Sequence, residues 1–238
     1  MKNIIIVRGG GDLASGIVHR LHRCGCRVLI LECSMPAAIR RKAAFCEAVY
    51  DGSAQVEGVV SRRIATPEEC GDLWEKGEVP VLVDEAGVSI KEIKPAVVVD
   101  AILAKKNLGT LRSMAPLTIG LGPGFTAGED VDYVVETMRG HDLGRIIERG
   151  SAMPNTGTPG IIREGFPVRK GLKIADIDPR IEQRKNCRTI SDKARCLAGS
   201  VLEIIVGEGG CESSFAVCMG RGPAFERPCM QKGAGLFA

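Results

Sequence analysis

The first thirty-odd positions alternate between two kinds of apolar pattern. Ile4 to Val7 is an unbroken β-branched run, the pattern of a strand buried on both faces of a parallel sheet. Gly9-Gly10-Gly11-Asp12 ends it. Apolar residues then recur at 13, 14, 17, 18 and 21, which is a helical period, and Gly25 is placed to end that helix. Arg27 to Leu31 is a second apolar run, so residues 3–32 read strand, glycine turn, helix, strand. A helical stretch is expected from Pro36 to about Val49, and a strand from Val56 to Arg63. Thr66-Pro67-Glu68-Glu69 carries an N-cap, a first-turn proline and a capping-box acid, and predicts a helix that ends near Gly77. Val81 to Val83 predicts a strand, Ala86-Gly87 a hairpin turn into a further strand over Val88 to Ile93, and Ala96 to Val99 a buried strand ending at Asp100.

This alternation predicts an α/β fold, a Rossmann-like doubly wound parallel sheet, over residues 1–112. After Pro116 the pattern changes. Leu117 to Leu121, Tyr133 to Met138 and Arg145 to Glu148 read as strands among many glycines and prolines. The convincing helix of this half is Ser191 to Ile205, with Ser191 as N-cap and apolar positions at 194, 197, 198, 201 and 202. A second, mostly β portion is therefore expected over 113–206. The tail, 207–238, has no periodicity and is expected to be irregular.

Composition narrows the function classes. The 238 residues carry a formal charge of only +3, which gives no footing for nucleic acid or a membrane surface. Aromatics are 4%, too few for base-stacking platforms. The N-terminal apolar run is too short for a signal peptide, and no stretch approaches a membrane span, so a cytoplasmic protein is expected. The ten cysteines include no C-x-x-C pair, and reduced thiols fit that compartment better than a metal site.

The chemistry begins at Gly9-x-Gly11-x-x-Ala14, which matches the G-x-G-x-x-G/A dinucleotide fingerprint. Gly9 permits the tight turn, and Gly11 lacks the Cβ that would block a pyrophosphate. Ala14 lets the helix approach the strand. Gly10 and Asp12 complete the loop, whose amides and helix dipole would receive the anion. Glu32 ends the second strand about 20 residues beyond the loop, where an acid holds a ribose 2′-hydroxyl. That acid favours NAD over NADP. Adenosyl-methionine is a rival ligand for such a site, and a glycine turn that binds nothing is the plain alternative.

Other polar groups form weaker patterns. Gly120-x-Gly122-Pro123-Gly124, with Thr126 close behind, follows a strand and could form a second anion nest, although Glu129, Asp130 and Asp132 follow it. A tight turn with an acidic rim explains it equally well. His141, in the segment from Glu136 to His141, is the best placed group for proton transfer, with a loop hydrogen bond as its ordinary alternative. His19 and His22 read as surface residues. Asn155-Thr156-Gly157 reads as a turn, Asp176-Ile177-Asp178-Pro179-Arg180 as a strand end, and Ser191-Asp192-Lys193 as a helix cap with a first-turn acid. No metal ligand set is identified.

These motifs together resemble the YqeB family, accessory proteins of selenium-dependent molybdenum hydroxylases, similar in their nucleotide-binding portion to xanthine dehydrogenase accessory factors. The residues that carry the resemblance are Arg8 to Gly16, Glu57-Gly58-Val59, Gly122 to Gly128, Glu136 to Arg145, Asn155 to Gly160, Asp176 to Arg180 and Ser191 to Arg195. The resemblance covers residues 1 to about 205. It implies a maturation role in finishing or inserting the molybdenum cofactor, and together with the glycine loop it points to a nucleotide-containing ligand, either NAD or another dinucleotide or a molybdopterin-type cofactor. It implies a molybdenum hydroxylase, or the proteins that synthesise its cofactor, as partners, and leaves a homo-oligomer open. It assigns no catalytic residue. The tail from Gly207 departs from it, which raises a frame-shifted or truncated terminus as an expectation. A stand-alone NAD-dependent oxidoreductase and a nucleotide-sensing regulator are the competing functions.

Overall fold

The structure is a computed structural model, and it describes residues 4–154, 160–161, 165, 167–168, 170, 175–176 and 186–209. Its centre is β1 (Ile4–Arg8), followed by α1 (Asp12–Arg23) and β2 (Arg27–Glu32). The strand–turn–helix–strand reading of the first thirty residues holds. Next come α2 (Ala48–Asp51), β3 (Ser53–Val56), β4 (Val59–Ile64), α3 (Cys70–Glu75), β5 (Val79–Val83), α4 (Ile90–Ile93) and β6 (Val97–Asp100). The second half contributes β7 (Leu117–Leu121), β8 (Tyr133–Val135), β9 (Ile146–Ile147), the two-residue strands β10 (Gly160–Ile161) and β11 (Ala175–Asp176), and α5 (Asp192–Gly207).

Nine strands form one sheet in the order β3-β4-β5-β2-β1-β6-β7-β8-β9. From β4 to β8 every neighbouring pair is parallel, and β3 and β9 are antiparallel edges. The inner run β5-β2-β1-β6-β7-β8 is the 3-2-1-4-5-6 order of a doubly wound dinucleotide-binding sheet. The expected α/β Rossmann-like class is thus the observed one. β7 to β9 extend this same sheet across residue 112, with Val97 opposite Leu117 and Ile119 opposite Tyr133.

Both faces are covered, as a parallel sheet requires. Ile5, Val7, Val28, Ile30, Val97 and Val99 point to the face where α1 and α5 pack. Ile4, Ile6, Leu29, Leu31 and Val98 point to the other, under Cys70 and Leu73 of α3 and Ile90 of α4. Helices α1 and α5 approach so closely that a Cβ on Gly16 would lie 2.7 Å from the Ala194 methyl.

Three local expectations are corrected. The strand expected over Val56–Arg63 is a hairpin, because Glu57 and Gly58 both take left-handed backbone (φ 44° and 87°) and fold β3 onto β4. The helix expected from Pro36 to Val49 is broken into two short 3-10 turns and α2. Ala44 is extended (φ −129°), and the Phe45 and Cys46 amides bond to the Ser15 hydroxyl and the Gly10 carbonyl instead of to their own helix. The strand expected over Val88–Ile93 is the short helix α4. The Asp84 carboxylate takes the Val88 and Ser89 amides at 3.0 and 2.8 Å, which starts a helical turn. By contrast, the capping box at Thr66–Glu69 forms as its sequence predicts, and Ser191 caps α5 through the Ala194 amide.

Candidate functional site

The site is built where the sheet order reverses. Chain leaving β1 turns one way to β2, whereas β6 lies on the other side of β1, and sheets of this kind bind ligands at the carboxyl ends of such a switch point. The glycine loop occupies that edge. Gly9 takes φ +93° and donates to the Leu31 carbonyl. Its backbone lies against Ala101, whose carbonyl oxygen would be 3.0 Å from an added Cβ. Gly10 is also packed in, since a Cβ there would lie 3.1 Å from the Cys46 nitrogen and 3.2 Å from an Ile30 methyl. Gly11 differs from both. It caps α1 with ordinary backbone (φ −64°, ψ −179°), and among the described residues no atom lies within 4 Å of the position its Cβ would take. Among the described residues nothing accepts a hydrogen bond from the Gly11 or Asp12 amides. Ala14 is fully buried under α1, as close helix–sheet packing requires.

Glu32 faces this loop. One carboxylate oxygen accepts the Gly10 amide at 2.7 Å, and the other accepts the Cys33 amide at 2.8 Å. Burial pushes its carboxyl above the usual range, opposed by those two amides. The Cys33 thiol donates to the same carboxylate, whose roughly four lone-pair sites leave room for a further donor, such as a ribose hydroxyl. Two residues not singled out from the sequence stand beside it. Burial and the neighbouring Glu32 carboxylate push the Cys33 thiol up to about 11, and burial pushes the Cys46 thiol well above its ordinary value. At neutral pH both are protonated and poor nucleophiles.

Asp12 opens α1 and ion-pairs with Arg40 at 3.5 Å. Burial raises its carboxyl, with Arg40, the Leu13 amide and Lys193 acting against that. Arg40 also donates to the carbonyls of Asn186 and Thr189 at 2.8 and 2.7 Å, fixing the turn that precedes α5 to the start of α1. From the β3–β4 hairpin, Glu57 accepts the Ile190 amide and the Arg195 guanidinium at 2.8 and 2.7 Å. The start of α5 is therefore anchored beside the glycine loop. Lys193 lies there, only 6% exposed, where the sequence reading places it only in the cap of α5.

Behind the loop, Arg8 and Asp100 end neighbouring strands in register and are both about 1% exposed. They approach at 3.7 Å, and the Thr110 hydroxyl donates to Asp100 at 2.6 Å. The guanidinium also donates to Thr110 and to the Glu85 carbonyl. This network ties the loops after β5 and β6 to the end of β1.

The second glycine-rich segment is occupied by the protein itself. A Cβ on Gly122 would meet the Thr137 hydroxyl at 2.5 Å, and one on Gly124 the Lys106 backbone at 2.6 Å. Gly122 donates to the Val135 carbonyl, and the Thr126 amide to the Asp130 carboxylate at 2.8 Å. The Thr126 hydroxyl meets Ser151 at 3.2 Å. His141 stands in the exposed turn between β8 and β9, whose Arg139 ion-pairs with Asp192 at 3.1 Å. Glu136 is buried and accepts the Met138 and Met153 amides at 2.6 and 2.7 Å. Asn155-Thr156-Gly157, Ile177-Asp178-Pro179-Arg180 and nearly all of the glycine- and cysteine-rich tail lie outside the described residues. Among the described residues no group of three or more His, Cys, Asp or Glu is placed to hold a metal ion. No helix among them is long and apolar enough to cross a membrane.

The chain resembles YqeB along most of its length. It is 40% identical over 256 aligned residues to a protein of Escherichia coli K12 described as uncharacterized protein YqeB, and the match takes in 85% of this chain. This similarity supports the YqeB family resemblance carried by the motifs. The chain spans 47% of the length of that relative. No family model matches the chain, and no solved structure matches it.

Proposed function

We propose that this chain binds a nucleotide-containing ligand on its glycine loop and serves in the maturation of selenium-dependent molybdenum hydroxylases. The observation that carries the binding half is the contrast within the loop. Gly9 and Gly10 are glycines because the protein fills the space beside them, whereas among the described residues nothing fills the space at Gly11, at the N-terminus of a 12-residue helix. Its backbone angles suit any residue, so the fold makes no demand for glycine there. A ligand that must approach the backbone supplies that demand. Diphosphate groups are such ligands, because the free amides and the helix dipole both favour an anion. With Glu32 facing the same loop for a ribose hydroxyl, the residues fit NAD, another dinucleotide, or the nucleotide end of a molybdopterin-type cofactor. The maturation half rests on the YqeB resemblance, with a molybdenum hydroxylase or its cofactor-synthesis proteins as partners.

Mass spectrometry of small molecules released from protein purified from its native source tests the first half. A nucleotide in near-stoichiometric amount is expected. An empty protein that also fails to bind NAD or ADP by calorimetry overturns it. For the second half, a host lacking this chain is expected to accumulate inactive hydroxylase deficient in cofactor, and fully active hydroxylase in that host overturns it. Steady oxidation of NADH with a simple metabolite would mark an oxidoreductase instead.

A further inference from the structure

Six charged side chains gather where α1 and α5 begin: Asp12, Arg40, Glu136, Arg139, Asp192 and Lys193. Five of them have partners. Asp12 pairs with Arg40, Asp192 pairs with Arg139, and Glu136 takes two backbone amides. The ammonium of Lys193 has none within hydrogen-bond or ion-pair distance among the described residues, although the residue is only 6% exposed. Asp12, Glu136 and Asp192 act on it only through space. Burial pushes its pKa down and Arg139 adds to that, with those three carboxylates acting in the other direction. The stem of Lys193 is packed away, while its ammonium is not fully enclosed and is left to solvent or to a bound anion.

The surroundings indicate what needs it. Helices α1 and α5 run the same way. Gly16 touches Ala194 near their starts, while Glu208, just past the end of α5, bonds to Tyr133 at the first residue of β8. Both helix N-termini therefore lie at the carboxyl edge of the sheet, beside the open Gly11. A lysine in the first turn of a helix is also opposed by the helix dipole. Two positive helix ends and an ammonium without a partner in the described fold meet at one edge, and together they favour an anion there.

We infer that Lys193 is a phosphate-binding residue, reaching from the start of α5 to a phosphate group of a nucleotide seated on the glycine loop. The inference rests on the nucleotide reading of that loop and adds the group that neutralises the ligand's charge. The ammonium supplies a point charge and donors at the phosphate oxygens, and the Gly11 and Asp12 amides supply direction.

Calorimetric titration with ADP at low ionic strength tests it, using wild-type protein, Lys193→Met, which keeps the stem and removes the charge, and Lys193→Arg. Wild type is expected to bind. Lys193→Met should weaken ADP by about tenfold or more, the worth of one charged hydrogen bond, and Lys193→Arg should recover part of the loss. Without ligand, Lys193→Met should melt no lower than wild type, because methionine keeps the buried stem and removes a charge with no partner in the described fold. A smaller loss of ADP affinity overturns the role of Lys193 and leaves the glycine loop standing. A marked fall in the ligand-free melting temperature of both Lys193→Met and Lys193→Gln overturns it as well, since the fold would then need the charge. Wild type that binds neither ADP nor NAD overturns the nucleotide reading itself, and this inference with it.

Discussion

Replacing neighbouring glycines one at a time separates what the fold needs from what a ligand needs. Gly10→Ala places a methyl 3.1 Å from the Cys46 nitrogen, 3.2 Å from its Cβ and 3.2 Å from an Ile30 methyl. Two of these contacts are with groups held in the core, so the strain cannot relax cheaply. Overpacking of this kind costs about 1–3 kcal/mol. For a chain of this size that lowers the melting temperature by about 2–12 °C. Gly11→Ala meets nothing within 4 Å and keeps allowed backbone angles. It gains about 0.4–1 kcal/mol from a stiffer unfolded chain. It loses a comparable amount, about 0.5–1 kcal/mol, because alanine is a poor N-cap. Its stability should therefore stay within about 0.5 kcal/mol of wild type. Binding should show the opposite order. A larger side chain in Gly11→Val bars the phosphate from the Gly11 and Asp12 amides. Two charged hydrogen bonds are worth about 3 kcal/mol together, which is a loss of about 100-fold or more. Urea unfolding and NAD calorimetry on the three variants read both effects. Equal destabilisation by Gly10→Ala and Gly11→Ala, or unchanged NAD affinity in Gly11→Val, would show that Gly11 is not kept for a ligand.

Three further outcomes are expected. Asp100→Ala leaves the buried Arg8 guanidinium without its carboxylate and should cost about 3–5 kcal/mol in urea unfolding, whereas a cost under about 1 kcal/mol would show that the pair does not anchor the loops after β5 and β6. Gly16→Val forces α1 away from the Ala194 methyl, and should lower stability by about 1–3 kcal/mol or more and raise hydrogen exchange in α5; a native-like exchange pattern would contradict that packing. Asp132 has its carboxyl pushed up by burial but lowered on balance by the Thr118 hydroxyl and amide and by Arg112, so its folded pKa lies below the unfolded one. Its contribution is full above the ordinary value near 3.8 and is lost as pH falls through the depressed one; melting curves from pH 7 to pH 3 should show a shallower acid loss in Asp132→Asn, and parallel curves would exclude the effect.

The parts of the fold visible in the sequence are those that local rules govern. Ile4 to Glu32 carries a buried strand, a turn and a helix with different hydrophobic periods, and each period survives in the structure. Thr66 and Ser191 announce their helices because a cap bonds within three residues. Misreadings arose where a distant partner decides. Phe45 and Cys46 leave a helical path because Ser15 and Gly10 take their amides. The placement of β7 beside β6 depends on pairing that no local pattern encodes. The Glu57-Gly58 turn hides inside an apolar run, since glutamate rarely takes a left-handed conformation. In the candidate site, the spacing places Glu32 opposite the Gly11 loop, whereas at Gly122 and Gly124 the sequence does not reveal that Thr137 and Lys106 stand where a Cβ would go. Lys193 did leave a signal. It stands one helical turn before Leu197, on the apolar stripe of α5 and at the end where a cation is least favoured.

The account depends most on the claim that the free amides at the start of α1 receive an anionic ligand. Amide chemical shifts of isotope-labelled protein, followed during titration with NAD, test this residue by residue. The Gly11 and Asp12 amides are expected to move downfield with saturable binding, while Gly122 and Gly124 stay where they are. Saturation with the Gly11 and Asp12 resonances unmoved, or no saturation at all, would contradict it.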